Sequence, residues 1–146
     1  MSFSALGQAI FDAFSTDDTL KALVDTRIFP RTSIPETPDK PYLSYARVSG
    51  TRDAANDGAL ADHAGVRIQI DIISDTLSAA DACADAIRKI CSRGGPSVAG
   101  VTSSFGSGLR RLALIGGPRD LPQYEPGMGQ ATPFLTLDLM ATHVES

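Results

Sequence analysis

Apolar residues recur at three- and four-residue steps through Phe3, Leu6, Ile10 and Phe14, with Ala5, Ala9 and Ala13 between them. This spacing lays one apolar stripe along a helix, with Ser2 placed to cap it. A second, brief helix follows Thr16. Asp17 and Asp18 stand where the positive end of a helix favours carboxylates, and Leu20, Leu23 and Val24 supply its buried face. Next come Arg27-Ile28-Phe29-Pro30 and prolines at 35, 38 and 41. Each proline lacks an amide donor and pushes its predecessor toward extended geometry, so residues 27 to 41 read as a stiff connector.

Beyond the last of those prolines, Tyr42 to Ser49 is rich in aromatic and small residues and reads as the first long strand. Residues 50 to 64 show no clean period and carry hairpin-type Asn-Asp-Gly chemistry, which predicts a long polar loop. Val66, Ile68, Ile70 and Ile72 alternate with Arg67, Gln69 and Asp71, the two-residue period of a strand with one buried face. Ser78, with Asp81 three residues on, resembles a capping box. After it, Ala80, Cys83, Ala84, Ile87, Ile90 and Cys91 form a helical stripe, with Asp85 able to pair with Lys89 one turn later. Gly94-Gly95-Pro96 ends that helix. Ser97 to Gly108 reads as a loop with a weak strand near Val98 to Val101, Leu109 to Ile115 as a strand, and Gly116 to Gln130 as an extended loop punctuated by proline and glycine. Leu135, Leu137, Leu139 and Ala141 alternate with polar residues in a last long strand. Together these elements predict a single domain over residues 1–146 of the α+β class. It would have an antiparallel sheet of about four strands, with one long helix and short N-terminal helices packed on one face.

Composition narrows the chemistry. With 146 residues, 42% apolar and 21% charged, the chain suits one globular domain that needs no metal or disulfide support. A net charge of −4 gives no whole-surface attraction to nucleic acid or anionic lipid. Neither a basic leader with an apolar run nor a membrane-length apolar stretch occurs, so neither a signal peptide nor a membrane span is expected. Two cysteines eight residues apart on one helix are separated by about 12 Å of axial rise, too far for a disulfide, and read as packed thiols. His63 and His143 fall in the polar loop and near the last residue, where neither is placed to activate a nucleophile. Asp71 and Asp138 lie on polar strand faces and would converge if those strands were neighbours. A solvated face or a subunit contact is favoured over a metal-dependent hydrolase. Arg110 and Arg111 form the main basic cluster, without the stacking aromatics of a nucleic-acid site apart from Phe105. No catalytic, cofactor or metal site is assigned.

The order of the short N-terminal helix, an Asp-x-x-Leu turn, Arg27-Ile28-Phe29-Pro30 and Pro41-Tyr42-Leu43-Ser44-Tyr45 resembles the tail completion (tail terminator) proteins of long-tailed bacteriophages, prophages and gene transfer agents. Val66-Arg67-Ile68-Gln69-Ile70-Asp71 with the alanine-rich helix after it, the Tyr124-Glu125-Pro126 turn and the closing strand Phe134 to Ala141 extend the likeness. The resemblance implies a non-enzymatic virion protein, assembled in the bacterial cytoplasm, whose copies form a ring of six at the head-proximal end of the tail tube. There it would stop tube growth and mediate head-tail joining. Implied partners are other copies of itself, the tail tube protein and the head completion or connector protein, with DNA crossing the lumen without sequence-specific contact, and no membrane and no cofactor. The residues proposed for subunit or tube contacts are Arg27, Arg31, Arg52, Asp53, Asp57, Asp62, Arg110, Arg111, Tyr124 and Glu125. The alternative is a small ligand-binding or regulatory module, since an antiparallel sheet with helices on one face serves many functions.

Overall fold

In the computed structural model, which describes residues 3–36, 38–54, 60–105, 108–120, 123–124, 131–132 and 134–144, the first apolar stripe forms helix α1 (Phe3–Thr16). Leu6, Ala9, Ile10, Ala13 and Phe14 are its buried side. Ser2, its expected cap, lies outside the described residues. Gly7 lets α1 sit close to the sheet, because a Cβ there would lie 2.9 Å from the Tyr45 hydroxyl. Helix α2 (Asp18–Val24) is capped by Asp17, whose carboxylate accepts the Leu20 amide at 3.1 Å, and it buries Leu20 and Val24.

The connector carries more structure than its prolines alone indicate. Strand β1 (Ile28–Pro30) pairs parallel with Leu43–Tyr45, and a single 3-10 turn spans Arg31–Ser33. Arg27 fixes this crossing by donating from Nε to the Pro41 carbonyl (3.0 Å) and from its terminal nitrogen to the Leu23 carbonyl (3.2 Å).

Strands β2 (Tyr42–Ala54) and β3 (Leu60–Ile73) are antiparallel, and they correct the reading of residues 50–64 as a loop. Gly50 pairs with Val66, Thr51 with Gly65, Arg52 with Ala64 and Ala54 with Leu60; only residues 55–59 fall outside the described strands. The hydrophobic period is silent there because backbone ladders bind small and polar residues as well as apolar ones. The β3 half is held on its other side too, down to His63 opposite Val144.

Helix α3 (Leu77–Arg93) starts earlier than the Ser78 signal indicates: Thr76 is the cap, its hydroxyl accepting the Ala79 amide at 3.2 Å. Gly94, at φ +83°, closes the helix as expected. A small hairpin, β4 (Ser97–Val98) and β5 (Val101–Thr102), follows, then β6 (Leu109–Asp120), the short pair β7 (Gln123–Tyr124) and β8 (Ala131–Thr132), and β9 (Phe134–Val144). Strand β6 takes in residues 116–120, which the glycines and Pro118 assign to a loop, by shifting register against β9 between Leu114 and Gly116 and again between Gly116 and Arg119. Gly117, at φ +91°, makes this possible: a Cβ there would lie 2.5 Å from the Thr136 carbonyl oxygen.

The main sheet runs β1-β2-β3-β9-β6, so four long antiparallel strands gain a short parallel one at the edge, in the α+β class expected. Ile68, Ile70 and Ile72 pair level with Leu139, Leu137 and Leu135, and these residues form one core with Ala80, Cys83, Ile87 and Ile90 of α3.

Candidate functional site

The sheet's second face is built from the residues that alternate with the core. Strand β3 contributes Arg67, Gln69 and Asp71, β9 contributes Thr136 and Asp138, and β2 contributes Ser44 level with Asp71. A solvated face or a subunit contact was expected for Asp71 and Asp138, and the first of these does not hold. Instead Asp71 is 4% exposed, Asp138 2%, Thr136 0% and Ser44 1%. A buried carboxylate must be paired, and these are. Asp71 Oδ1 accepts from Gln69 Nε2 at 2.9 Å and from Thr136 Oγ1 at 3.1 Å, while Arg31, from the 3-10 turn, is hydrogen-bonded to Oδ2. Arg67 reaches Asp138 Oδ2 at 3.3 Å. Both arginines remain nearly half exposed, so the face presents guanidinium groups with carboxylates locked beneath them. The Ser44 hydroxyl is buried without a hydrogen-bond partner. Asp71 and Asp138 do lie on neighbouring strands, the condition for their convergence, and each is held by its own arginine.

A second polar cluster joins elements far apart in the chain. Asp17 is 1% exposed; besides capping α2, its Oδ1 accepts from Arg93 at 2.7 Å and from the Ser97 amide at 2.9 Å. Asp18 accepts the Ala99 amide at 2.7 Å, where Ala99 turns through φ +52°. The two carboxylates read as helix-terminus residues therefore also clamp the end of α3 and the β4–β5 hairpin. That hairpin holds Val98 and Val101 out to solvent. The adjacent acids were visible in the sequence, but nothing in it points to partners some eighty residues away.

The proposed contact residues divide into three groups. Arg27 and Arg31 spend hydrogen bonds within the chain, as given above. Arg110 and Arg111 are exposed on β6, at the open edge of the sheet. Arg52 and Asp53 lie on β2, Asp62 on β3 and Tyr124 on β7, with side chains outside the described residues, as are Asp57 and Glu125 altogether. The register places Arg52 level with Ala64, Ala64 with His143, and His143 with Leu109. The acidic hairpin end and the Arg110-Arg111 pair thus share one end of the sheet, on opposite edges.

His63 lies on β3 rather than in the loop expected for it, and His143, near the last residue as expected, is buried on β9. Burial pushes the thiols of Cys83 and Cys91 up to about 11, the charge of Arg27 drawing Cys83 back slightly. They are packed thiols, as expected. Among the described residues no group of three or more metal-ligating side chains gathers, and no helix is long and apolar enough to cross a membrane.

The sequence profile of the family described as tail completion protein gp17 matches residues 8–108. Fourteen chains of known structure match. One, from the virion of a native gene transfer agent particle, superposes with a TM-score of 0.66 at 21% identity, covering 98% of this chain and 97% of that one. No curated protein sequence matches. The structural likeness runs through the strands after residue 108, beyond the span of the family profile.

Proposed function

Since the chain belongs to the tail completion protein gp17 family, and so has a structural role in a phage-type tail, we propose that six copies close into a ring at the head-proximal end of the tail tube. The ring ends tube growth and offers the head connector its docking surface, and no bond is made or broken. The family match over residues 8–108 is the observation that carries this reading. The rigid, ion-paired sheet is the kind of scaffold such a ring needs, because a closed ring of identical subunits requires two different surfaces held at a fixed angle. Six copies at −4 each carry about −24, a charge that keeps DNA from adhering to a lumen it must cross if acidic groups line the passage. The protein then resides in the virion, at the neck of the tail, after assembly in the host cytoplasm.

Light scattering and negative-stain imaging of the purified protein, with and without tail tubes, test this. Rings or capped tubes are the expected result. Tubes left uncapped by excess protein, or virions lacking it that mature with attached tails of normal length, overturn the reading. Replacing Asp53, Asp57 and Asp62 together by lysine is expected to impair ring closure or tail joining.

A further inference from the structure

The main sheet has two open edges among the described residues, and they match each other. On one side β1 pairs only with Leu43–Tyr45, so from Val48 to Ala54 no described strand lies along the outer side of β2. On the other side β6 is the last strand. An open edge offers a row of backbone donors and acceptors, which natural proteins usually cover, blunt or use for pairing. Resting on the ring proposed above, we infer that neighbouring copies join edge to edge, β6 of one copy pairing with the outer side of β2 of the next.

Two features fit the two edges to each other. First, each strand from β2 to β3, β9 and β6 runs opposite to its neighbour, so β2 and β6 are antiparallel and the new pair continues the alternation. Second, each edge carries one exposed aliphatic residue at a register shift: Val48, 50% exposed, between Arg47 and Ser49, and Ile115, 49% exposed, between Leu114 and Gly116. The row Arg47, Ile68, Leu139, Leu114 crosses the sheet, and Val48 and Ile115 each follow the end member of that row. They meet at nearly the same level when copies stand side by side. Within one chain the two edges are three strand spacings apart, about 14 Å, so only a second copy can join them. The contact uses two different surfaces, as a closing ring demands. Pro118 and the register shifts blunt β6 beyond Ile115, which confines the pairing to residues 109–115.

Val48→Cys and Ile115→Cys, separately and together in a Cys91→Ser background, are assembled with tail tubes and treated with a short bismaleimide. The double variant is expected to give a covalent ladder beyond the dimer, and each single variant none. Dimers from one single variant would show an edge meeting itself and overturn the inference. Capped tubes without any ladder would overturn it while leaving the ring intact; absence of caps from wild-type protein overturns both. Should the double variant fail to assemble, hydrogen exchange on the wild type decides. Amides of 109–115 and 48–54 are expected to gain protection on capping, and unchanged exchange overturns the pairing.

Discussion

Removing the Asp17 carboxylate isolates what the clasp between α2, α3 and the β4–β5 hairpin contributes. Asp17→Ala deletes a helix cap, worth about 1 kcal/mol, and breaks a buried ion pair, a class of change that costs about 3–5 kcal/mol when the orphaned charge stays buried. Arg93 is 33% exposed and regains water, which pulls the sum down to about 3 kcal/mol. At about 2.1 cal/mol/K of unfolding entropy per residue, that is a fall in Tm of about 10 °C for a chain of this length. Asp17→Ser keeps a capping oxygen but cannot span to Arg93 and Ser97, so it should recover about 1 kcal/mol relative to alanine. Urea unfolding of wild type, Asp17→Ala, Arg93→Met and the double variant gives the coupling energy directly, expected at about 1–2 kcal/mol. In native-state hydrogen exchange, the Ser97 amide should lose protection in Asp17→Ala. An alanine variant within about 0.5 kcal/mol of wild type, or zero coupling to Arg93, would refute the clasp.

Gly117→Ala should cost about 2–4 kcal/mol in urea unfolding, since its Cβ would press on the Thr136 carbonyl at a positive φ. Asp71→Ala leaves Thr136, Gln69 and Arg31 without their common acceptor and should cost about 3 kcal/mol, with Arg31→Met restoring part of it; equal stability of the single and double variants would argue against pairing. Burial raises Cys83 and Cys91 from an ordinary 9.0 to about 11, so the unfolded chain loses these protons first. The stability they confer is complete below pH 9 and declines as pH rises toward 11, by up to about 1.4 kcal/mol per pH unit for each thiol. Urea midpoints should therefore fall less steeply between pH 9 and 10.5 in Cys83→Ala than in wild type, and parallel slopes would contradict the burial.

The elements with strong hydrophobic periods were legible in the sequence: the stripe of α1, the alternation of β3 and β9, and the long α3 with its glycine stop. What escaped was structure carried by the backbone. Residues 50–54 and 60–64 are strand because a ladder extends through them, and 116–120 are strand because Gly117 admits close approach; neither cause leaves a periodic trace. The shift of the α3 cap from Ser78 to Thr76 is a choice between two hydroxyls that only the helix's docking decides. On the polar face, alternation put Asp71 and Asp138 on the polar sides of their strands, and the pairing of β3 with β9 then brings them onto one face. Their burial depends on Arg31 and Arg67 folding over them, with the Arg31 contact spanning forty residues, and the resulting ion-paired face is a property of tertiary structure alone.

Strand β9 follows every other described element in chain order, yet it lies between β3 and β6 in the sheet. A nascent polypeptide emerging from the ribosome therefore has β6 waiting without a neighbour, and β3 half paired, until the closing segment arrives. Closing the core therefore requires β9 to enter between two strands that precede it in the chain, which makes its insertion into the middle of the sheet a non-local step of folding.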